Sequence, residues 1–149
     1  MPALLALLLV LPIPHGRFGW PLAPPHGVVR SFAAPPSPYG PGHRGVDLLG
    51  VVGAPVFASG DGVVVFAGLL VDRSLVSLDH GSLRTTYEPV TPSVAVHQRV
   101  RRGEVIGTLA GGHPGCDSCL HWGARRGPEY LNPLRLVSPG RVRLLPVAP

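Results

Sequence analysis

Residues 62–88 read GVVVFAGLLVDRSLVSLDHGSLRTTYE, and this stretch decides the fold class. It contains three apolar, β-branched runs, Gly62–Leu70, Ser74–Leu78 and Leu83–Tyr87. The sequence DHGS at 79–82 joins the last two runs, and its Asp and Gly tolerate the backbone angles that a tight turn demands. The stretch therefore predicts antiparallel strands with a hairpin at 79–82.

Similar short runs continue on both sides of this hairpin. Pro55–Ala58, Val105–Ala110 and Leu120–Ala124 are again apolar and are bounded by Gly, Pro or Asp. The 149 residues include 20 Gly and 19 Pro, which interrupt the chain too often for long helices and exclude a helical bundle or coiled coil. We predict one all-β domain, a small antiparallel β-sheet or sandwich.

The regions outside this domain have a different composition. Residues 17–41 are rich in Pro and predict an extended arm with one short strand around Val28–Phe32, followed by a folded domain at 42–138 and a loose tail at 139–149. Residues 1–16 start with an apolar run that stops at Pro12, too short to span a bilayer stably. Its length suits a signal peptide or a weak apolar leader, so we expect a secreted or cell-envelope protein.

The charge pattern argues against one class of partner. The net charge is +5 and all thirteen basic residues are Arg, but they are scattered, with one cluster at Arg99, Arg101 and Arg102. No aromatic residues interleave with this cluster, and no nucleic-acid-binding motif is present. We therefore expect no nucleic-acid partner.

The first candidate metal site is the segment GHRGVD at 42–47. It places the imidazole of His43 four residues from the carboxylate of Asp47, in a Gly-flanked loop that enters a strand. Imidazole nitrogen and carboxylate oxygen are both ligands of Zn²⁺. A loop His that hydrogen-bonds a turn Asp would give the same spacing, so this segment alone leaves the assignment open.

The second candidate site is the segment CDSCLHWG at 116–123. On a strand, alternation places Cys119 and His121 on one face and sends Leu120 and Trp122 into the core on the other. His121 is thus a further candidate zinc ligand.

Cys116 and Cys119 form a Cys-x-x-Cys pair with three interpretations. A thioredoxin-type redox pair is disfavoured because the chain lacks the βαβ context. In an exported protein a disulfide is expected. Alternatively, Cys119 is a fourth ligand that closes the tetrahedron and makes the zinc structural.

Five motifs occur in a familiar order. They are GHRGVD at 42–47, ASGDGVV at 58–64, DHG at 79–81 followed by Thr86-Tyr87, RGEVIG at 102–107 and LHWG at 120–123. In this order the sequence, from about residue 21 to 136, resembles the lysostaphin-like (LytM-type) zinc peptidases of bacterial cell walls.

The resemblance implies a fold, a cofactor and a substrate class. The fold would be a small antiparallel β domain of the duplicated-hybrid-motif type, with the metal in a groove, and the substrate a peptidoglycan peptide. The family's zinc ligands map onto His43, Asp47 and His121. We expect a monomer that binds Zn²⁺.

Two further family histidines, which assist catalysis, map onto Cys119 and Pro89. Pro89 can neither donate nor accept a proton, and the neighbouring Glu88 is a candidate only if a bulge turns it toward the metal. His113, in the GGHPG loop at 111–115, is a second candidate assisting group. The other histidines, His15, His26, His80 and His97, are expected at the surface.

Two functions follow from the sequence. The first is an exported zinc metallopeptidase that acts on peptidoglycan peptide cross-links. The alternative is a catalytically degenerate module that binds the cell wall or regulates an amidase partner. The three intact ligands favour the first, and the residues at 89 and 119 favour the second.

Overall fold

The computed structural model describes residues 17–37 and 40–137, and their regular structure is almost entirely β. The leader predicted at 1–16 and the tail predicted at 139–149 lie outside the described residues. The elements are β1 Val28–Arg30, β2 Gly45–Leu49, β3 Pro55–Phe57, β4 Gly62–Leu70, β5 Arg73–Asp79, β6 Arg84–Glu88, β7 Val90–Pro92, β8 Arg99–Val100, β9 Val105–Leu109, β10 Cys119–Arg126, β11 Glu129–Leu131 and α1 Leu134–Val137.

The strands form two antiparallel sheets. The larger has eight strands in the order β1-β2-β10-β6-β5-β4-β8, with β11 paired to β10, and the smaller has the order β3-β9-β7. This architecture confirms the predicted all-β antiparallel fold.

The hairpin predicted at 79–82 joins β5 and β6. Leu78 lies opposite Thr85 and Asp79 opposite Arg84. Gly81 has φ +90°, a conformation that glycine adopts without steric cost, and its N–H donates to Asp79 Oδ1 at 2.8 Å. The local turn chemistry therefore fixes the register of both strands.

One hydrophobic core joins residues of both sheets. Leu120 and Trp122 are fully buried in it, as the predicted alternation along β10 requires. Leu22, from the segment predicted to be an extended arm, is also buried in this core. The core therefore includes chain that precedes residue 42.

The described part of the chain contains no helix that is both long enough and apolar enough to cross a membrane.

Candidate metal centre

Three neighbouring strands bring acidic and imidazole side chains into one row. In the register of the large sheet, His121 on β10 lies opposite Asp47 on β2 and opposite Glu88 on β6. Directly opposed residues of antiparallel strands project to the same face. Because Leu120 and Trp122 occupy the core face, this row faces away from the core, and His121 and Glu88 line a groove of about 980 Å³.

His43, Asp47 and His121 form a cluster that can hold a metal ion. Their ligand atoms all lie within 4.8 Å of one another. His43 Nε2 is 3.1 Å and His121 Nδ1 is 2.9 Å from Asp47 Oδ1. Ligand atoms of a tetrahedral zinc at ordinary bond lengths lie about 3.3 Å apart, so these separations fit a shared ion.

The orientation of His43 supports the same conclusion. Its Nδ1 lies 2.9 Å from the carbonyl oxygen of Ser31, which can only accept, so Nδ1 carries the hydrogen. In a neutral ring, Nε2 then directs a lone pair at Asp47 Oδ1. Two facing lone pairs repel unless a cation lies between them, so this donor set fits a metal ion.

Burial and charge act oppositely on His121. Burial lowers its pKa, and the nearby Asp47 raises it less, so the net pKa lies below the ordinary value of 6.5. A lowered pKa favours the neutral imidazole, which is the form that ligates metals.

Gly45 provides the space in which His121 lies. A Cβ at this position would come within 2.5 Å of the Trp122 carbonyl oxygen and 2.7 Å of His121 Nε2. Glycine is therefore required here by close packing.

His113 reaches the same carboxylate from the loop before β10. Its Nε2 lies 3.3 Å from Asp47 Oδ1, and its ring is roughly parallel to that of His121 at 6.2 Å between centroids. Asp117 Oδ1 accepts the Gly112 N–H at 2.8 Å and fixes the loop next to His113. The structure thus brings this candidate beside the metal cluster.

Cys116 and Cys119 are joined in a disulfide, with 5.3 Å between their Cα atoms. Because its sulfur is used in this bond, Cys119 does not serve as a fourth metal ligand in this structure. The disulfide closes the loop that follows His113.

Glu88 lies in the groove, and the expectation that it points away unless a bulge turns it is wrong. The β6–β10 register runs without a shift to the Glu88–His121 pair. The alternation argument failed because β6 ends at Glu88, so Pro89 is no longer on the same strand. Glu88 Oε1 lies 3.5 Å from Arg73 Nη1, and Pro89 also lines the groove.

His80 is expected at the surface, but its ring takes part in a hydrogen-bonded network that leads from the hairpin turn to the buried Tyr87 hydroxyl. Its Nδ1 donates to the Asp61 carbonyl at 2.7 Å and its Nε2 accepts from Thr85 Oγ1 at 2.7 Å. Thr85 in turn accepts from the buried Tyr87 hydroxyl, which accepts the Ser59 N–H. Burial lowers the pKa of His80 and raises that of Tyr87. Thr85 and Tyr87 alternate onto the buried face of β6. Two hydroxyl groups on a buried strand face are the sequence feature that could have indicated this hydrogen-bonded network.

Comparison with known proteins gives the family context of the site. The profile described as Peptidase family M23 matches residues 41–133, which include all three cluster residues. An uncharacterized protein of Mycobacterium tuberculosis is 54% identical over 139 residues, covering 89% of this chain and 56% of that protein. The chain therefore spans about half the length of this relative.

Two more distant proteins are similar over the same domain. The DD-carboxypeptidase/endopeptidase Mpg of Neisseria meningitidis is 31% identical over 99 residues, 65% of this chain and 23% of that protein. The catalytic domain of the antimicrobial peptidase lysostaphin from Staphylococcus simulans superposes with a TM-score of 0.63 at 23% identity, over 75% of this chain and 92% of that domain. With the family profile covering most of the described β domain, these findings establish that the chain belongs to peptidase family M23.

Proposed function

We propose that this domain is an exported zinc metallopeptidase that hydrolyses peptide bonds in peptidoglycan. The observation that carries the proposal is the convergence of His43, Asp47 and His121, of which the two histidines line an open groove. The family and the named activity of the Neisseria relative support a peptide substrate. The apolar run at 1–11 supports export.

Zinc is the ion that this donor set suits best, because two imidazoles and one carboxylate leave a fourth position open for water or substrate. When bound, it would lower the pKa of a coordinated water and polarise the scissile carbonyl. His43 and His121 supply Nε2 and Nδ1 as ligand atoms, and Asp47 supplies Oδ1. The Ser31 carbonyl holds the His43 ring in its ligating orientation.

Proton transfer must come from groups other than those at 89 and 119. Glu88 projects beside His121 and is the candidate general base, with its carboxylate held near Arg73. His113 also lines the groove, with its Nε2 3.3 Å from Asp47 Oδ1, and is the candidate donor to the leaving group. Each such group contributes roughly 10²–10⁴ in rate, so substitution of either one should be measurable.

A second candidate function rests on the two replaced positions. Pro89 has no proton to give, and Cys119 is in a disulfide, so the groove lacks two assisting imidazoles that the resembled peptidases carry. A domain of this kind could bind cell-wall peptide, or an amidase partner, without hydrolysis. The expectation under this alternative is zinc-dependent binding with slow or absent cleavage.

The test is the release of new amino termini from purified peptidoglycan by the zinc-loaded protein. Hydrolysis should disappear in His121→Ala and fall by more than tenfold in Glu88→Gln and His113→Ala, since a general acid or base contributes at least about 10². Glu104→Gln is the matched control, because Glu104 is an exposed carboxylate in the turn between β8 and β9.

Each outcome separates the possibilities. Zinc-dependent release that neither substitution affects would retain the peptidase and reject the roles of Glu88 and His113. Binding without release would favour the second function. Absence of both zinc uptake and peptidoglycan binding would reject both functions.

A further inference from the structure

The groove floor consists of parallel rows that the strand register defines, and this inference rests on the function proposed above. The metal row is Asp47, His121 and Glu88. Two residues further along the strands is a row of small side chains, which comprises Gly45, Gly123, Thr86 and Ser77. This row forms a shallow trough because its members project little from the sheet.

A basic row follows the small row. Arg125 on β10 lies directly opposite Arg84 on β6 and opposite Tyr130 on β11, and all three line the groove. Arg44 adds a third guanidinium, with its Cζ 5.3 Å from the centroid of the Tyr130 ring. One end of the groove is therefore strongly positive.

Repulsion between Arg84 and Arg125 should lower the stability of the sheet, and neighbouring charges offset it only in part. Like charges directly opposed across antiparallel strands destabilise the sheet. Asp79 partly offsets Arg84, with its Oδ2 3.7 Å from Arg84 Nη2. Among the described residues, the exposed Arg125 side chain has no ion-pair or hydrogen-bond partner. A groove end at which positive charge predominates attracts anions.

The opposite end of the groove differs in character. Leu69 and Leu70, at the tip of the β4–β5 hairpin, are exposed there beside Arg73 and Glu88. The metal row lies between this end, where exposed leucines stand beside the paired charges of Arg73 and Glu88, and the basic row. The two ends of the groove therefore differ in charge.

We propose that Arg125, supported by Arg84, binds a carboxylate of an extended peptide whose backbone follows the direction of β10 and crosses the small row to reach the metal cluster. His121 and Arg125 are four residues apart on β10, which is about 14 Å along a strand. An extended ligand covers the same distance in about four residues. Because the arginine side chain can reach toward the metal, the ligand needs fewer residues to place its carboxylate at the guanidinium. The carboxylate should therefore lie two to four residues from the bond at the metal. A planar guanidinium pairs with a carboxylate through two parallel hydrogen bonds.

The experiment compares two forms of one ligand on the zinc-loaded protein. Synthetic stem peptides with free carboxyl groups, and the same peptides with those groups converted to amides, are titrated against a fluorescently labelled free-acid peptide. The wild type should prefer the free-acid form about tenfold, as a charge-assisted pair provides, and the preference should shrink as salt is added. Arg125→Gln should abolish the preference.

Arg126→Gln is the matched control. Arg126 is also exposed and is adjacent in sequence, but alternation along β10 sends its side chain to the other face. It should retain the wild-type preference. Arg125→Lys, which keeps the charge and loses the planar fork, should retain part of it.

Equal binding of both peptide forms by the wild type would overturn the inference, as would equal losses in Arg125→Gln and Arg126→Gln. Zinc content and release of amino termini are measured on the same samples. A zinc-loaded, hydrolytic protein without the carboxylate preference would refute this inference alone, whereas a protein that takes up no zinc would refute the proposed function.

Discussion

Gly45→Ala should damage the fold and the metal centre together. The added Cβ would lie 2.5 Å from the Trp122 carbonyl oxygen, against 3.4 Å for ordinary contact, so β2 and β10 must separate locally by about 0.9 Å. A hydrogen bond of ordinary length cannot stretch that far. Overpacking costs roughly 1–3 kcal/mol, and a weakened backbone hydrogen bond between β2 and β10 costs about 1 kcal/mol. Together they predict that the unfolding free energy falls by about 3 kcal/mol.

The same Cβ would lie 2.7 Å from His121 Nε2 and push the ring out of line with Asp47. Displacing the support of a ligand typically weakens metal binding by about 10–100-fold. Urea unfolding of the zinc-free protein measures the first effect, and zinc competition with a chromophoric chelator measures the second.

Gly123→Ala is the matched control, because Gly123 faces Gly45 across the two strands. Its Cβ would meet the Arg44 carbonyl oxygen at 3.4 Å and His121 Nε2 at 3.9 Å, both ordinary contacts. We expect less than about 1 kcal/mol of destabilisation and unchanged zinc affinity. Equal behaviour of the two variants would refute the argument that close approach at Gly45 shapes the site.

Three further outcomes are expected. His121→Ala should lower zinc from about one equivalent per chain to a small fraction, because two ligands cannot hold the ion; elemental analysis measures this, and unchanged zinc content would reject the cluster. The double variant Cys116→Ser and Cys119→Ser should lose about 2 kcal/mol of unfolding free energy, measured in urea, which is the value for a disulfide that closes a four-residue loop. Its zinc content should stay unchanged because the three ligands lie outside this loop, and loss of zinc would contradict the prediction. Because the pKa of His80 is lowered in the folded protein, the unfolded chain takes up a proton at this residue first as the pH falls. The unfolding free energy should therefore fall as the pH drops below 6.5 toward the folded-state pKa. It should fall less steeply in His80→Gln, and equal slopes would exclude His80 as the cause.

The fold could be predicted because its signals are local. The DHGS turn at 79–82 sets the register of β5 and β6 through one glycine and one aspartate, and both are visible in the sequence. The alternation that sends Leu120 and Trp122 to the core follows from strand geometry alone. The burial of Leu22 was missed because its packing depends on how a Pro-rich segment lies on the finished sheets, which no local pattern states.

The metal cluster could be proposed from motif order, but its surroundings could not. A position in a hairpin turn predicts a surface residue at His80, whereas its partners Asp61 and Thr85 come from a loop and a strand that only the tertiary fold brings together. The basic row was missed for the same reason. Arg84 and Arg125 are 41 positions apart, and only the β6–β10 register makes them neighbours.

Glu88 and His113 are the side chains that could take over the roles of the assisting histidines that are absent at positions 89 and 119. A strand that ends at Glu88 brings that carboxylate, and not the residue after it, into register with His121. A cysteine at 119 supplies no imidazole, yet its bond to Cys116 closes the short loop that follows His113. The Cys116 N–H donates to the His113 carbonyl oxygen at 3.1 Å, and His113 Nε2 lies 3.3 Å from Asp47 Oδ1. The replacement at 119 and the imidazole at 113 are thus linked through the disulfide loop and the hydrogen bond from Cys116 to His113. If His113 assists hydrolysis, opening that loop should lower the rate without releasing zinc, because none of the three ligands lies between Cys116 and Cys119. Loss of rate and of zinc together would instead mean that the loop supports the ligands themselves.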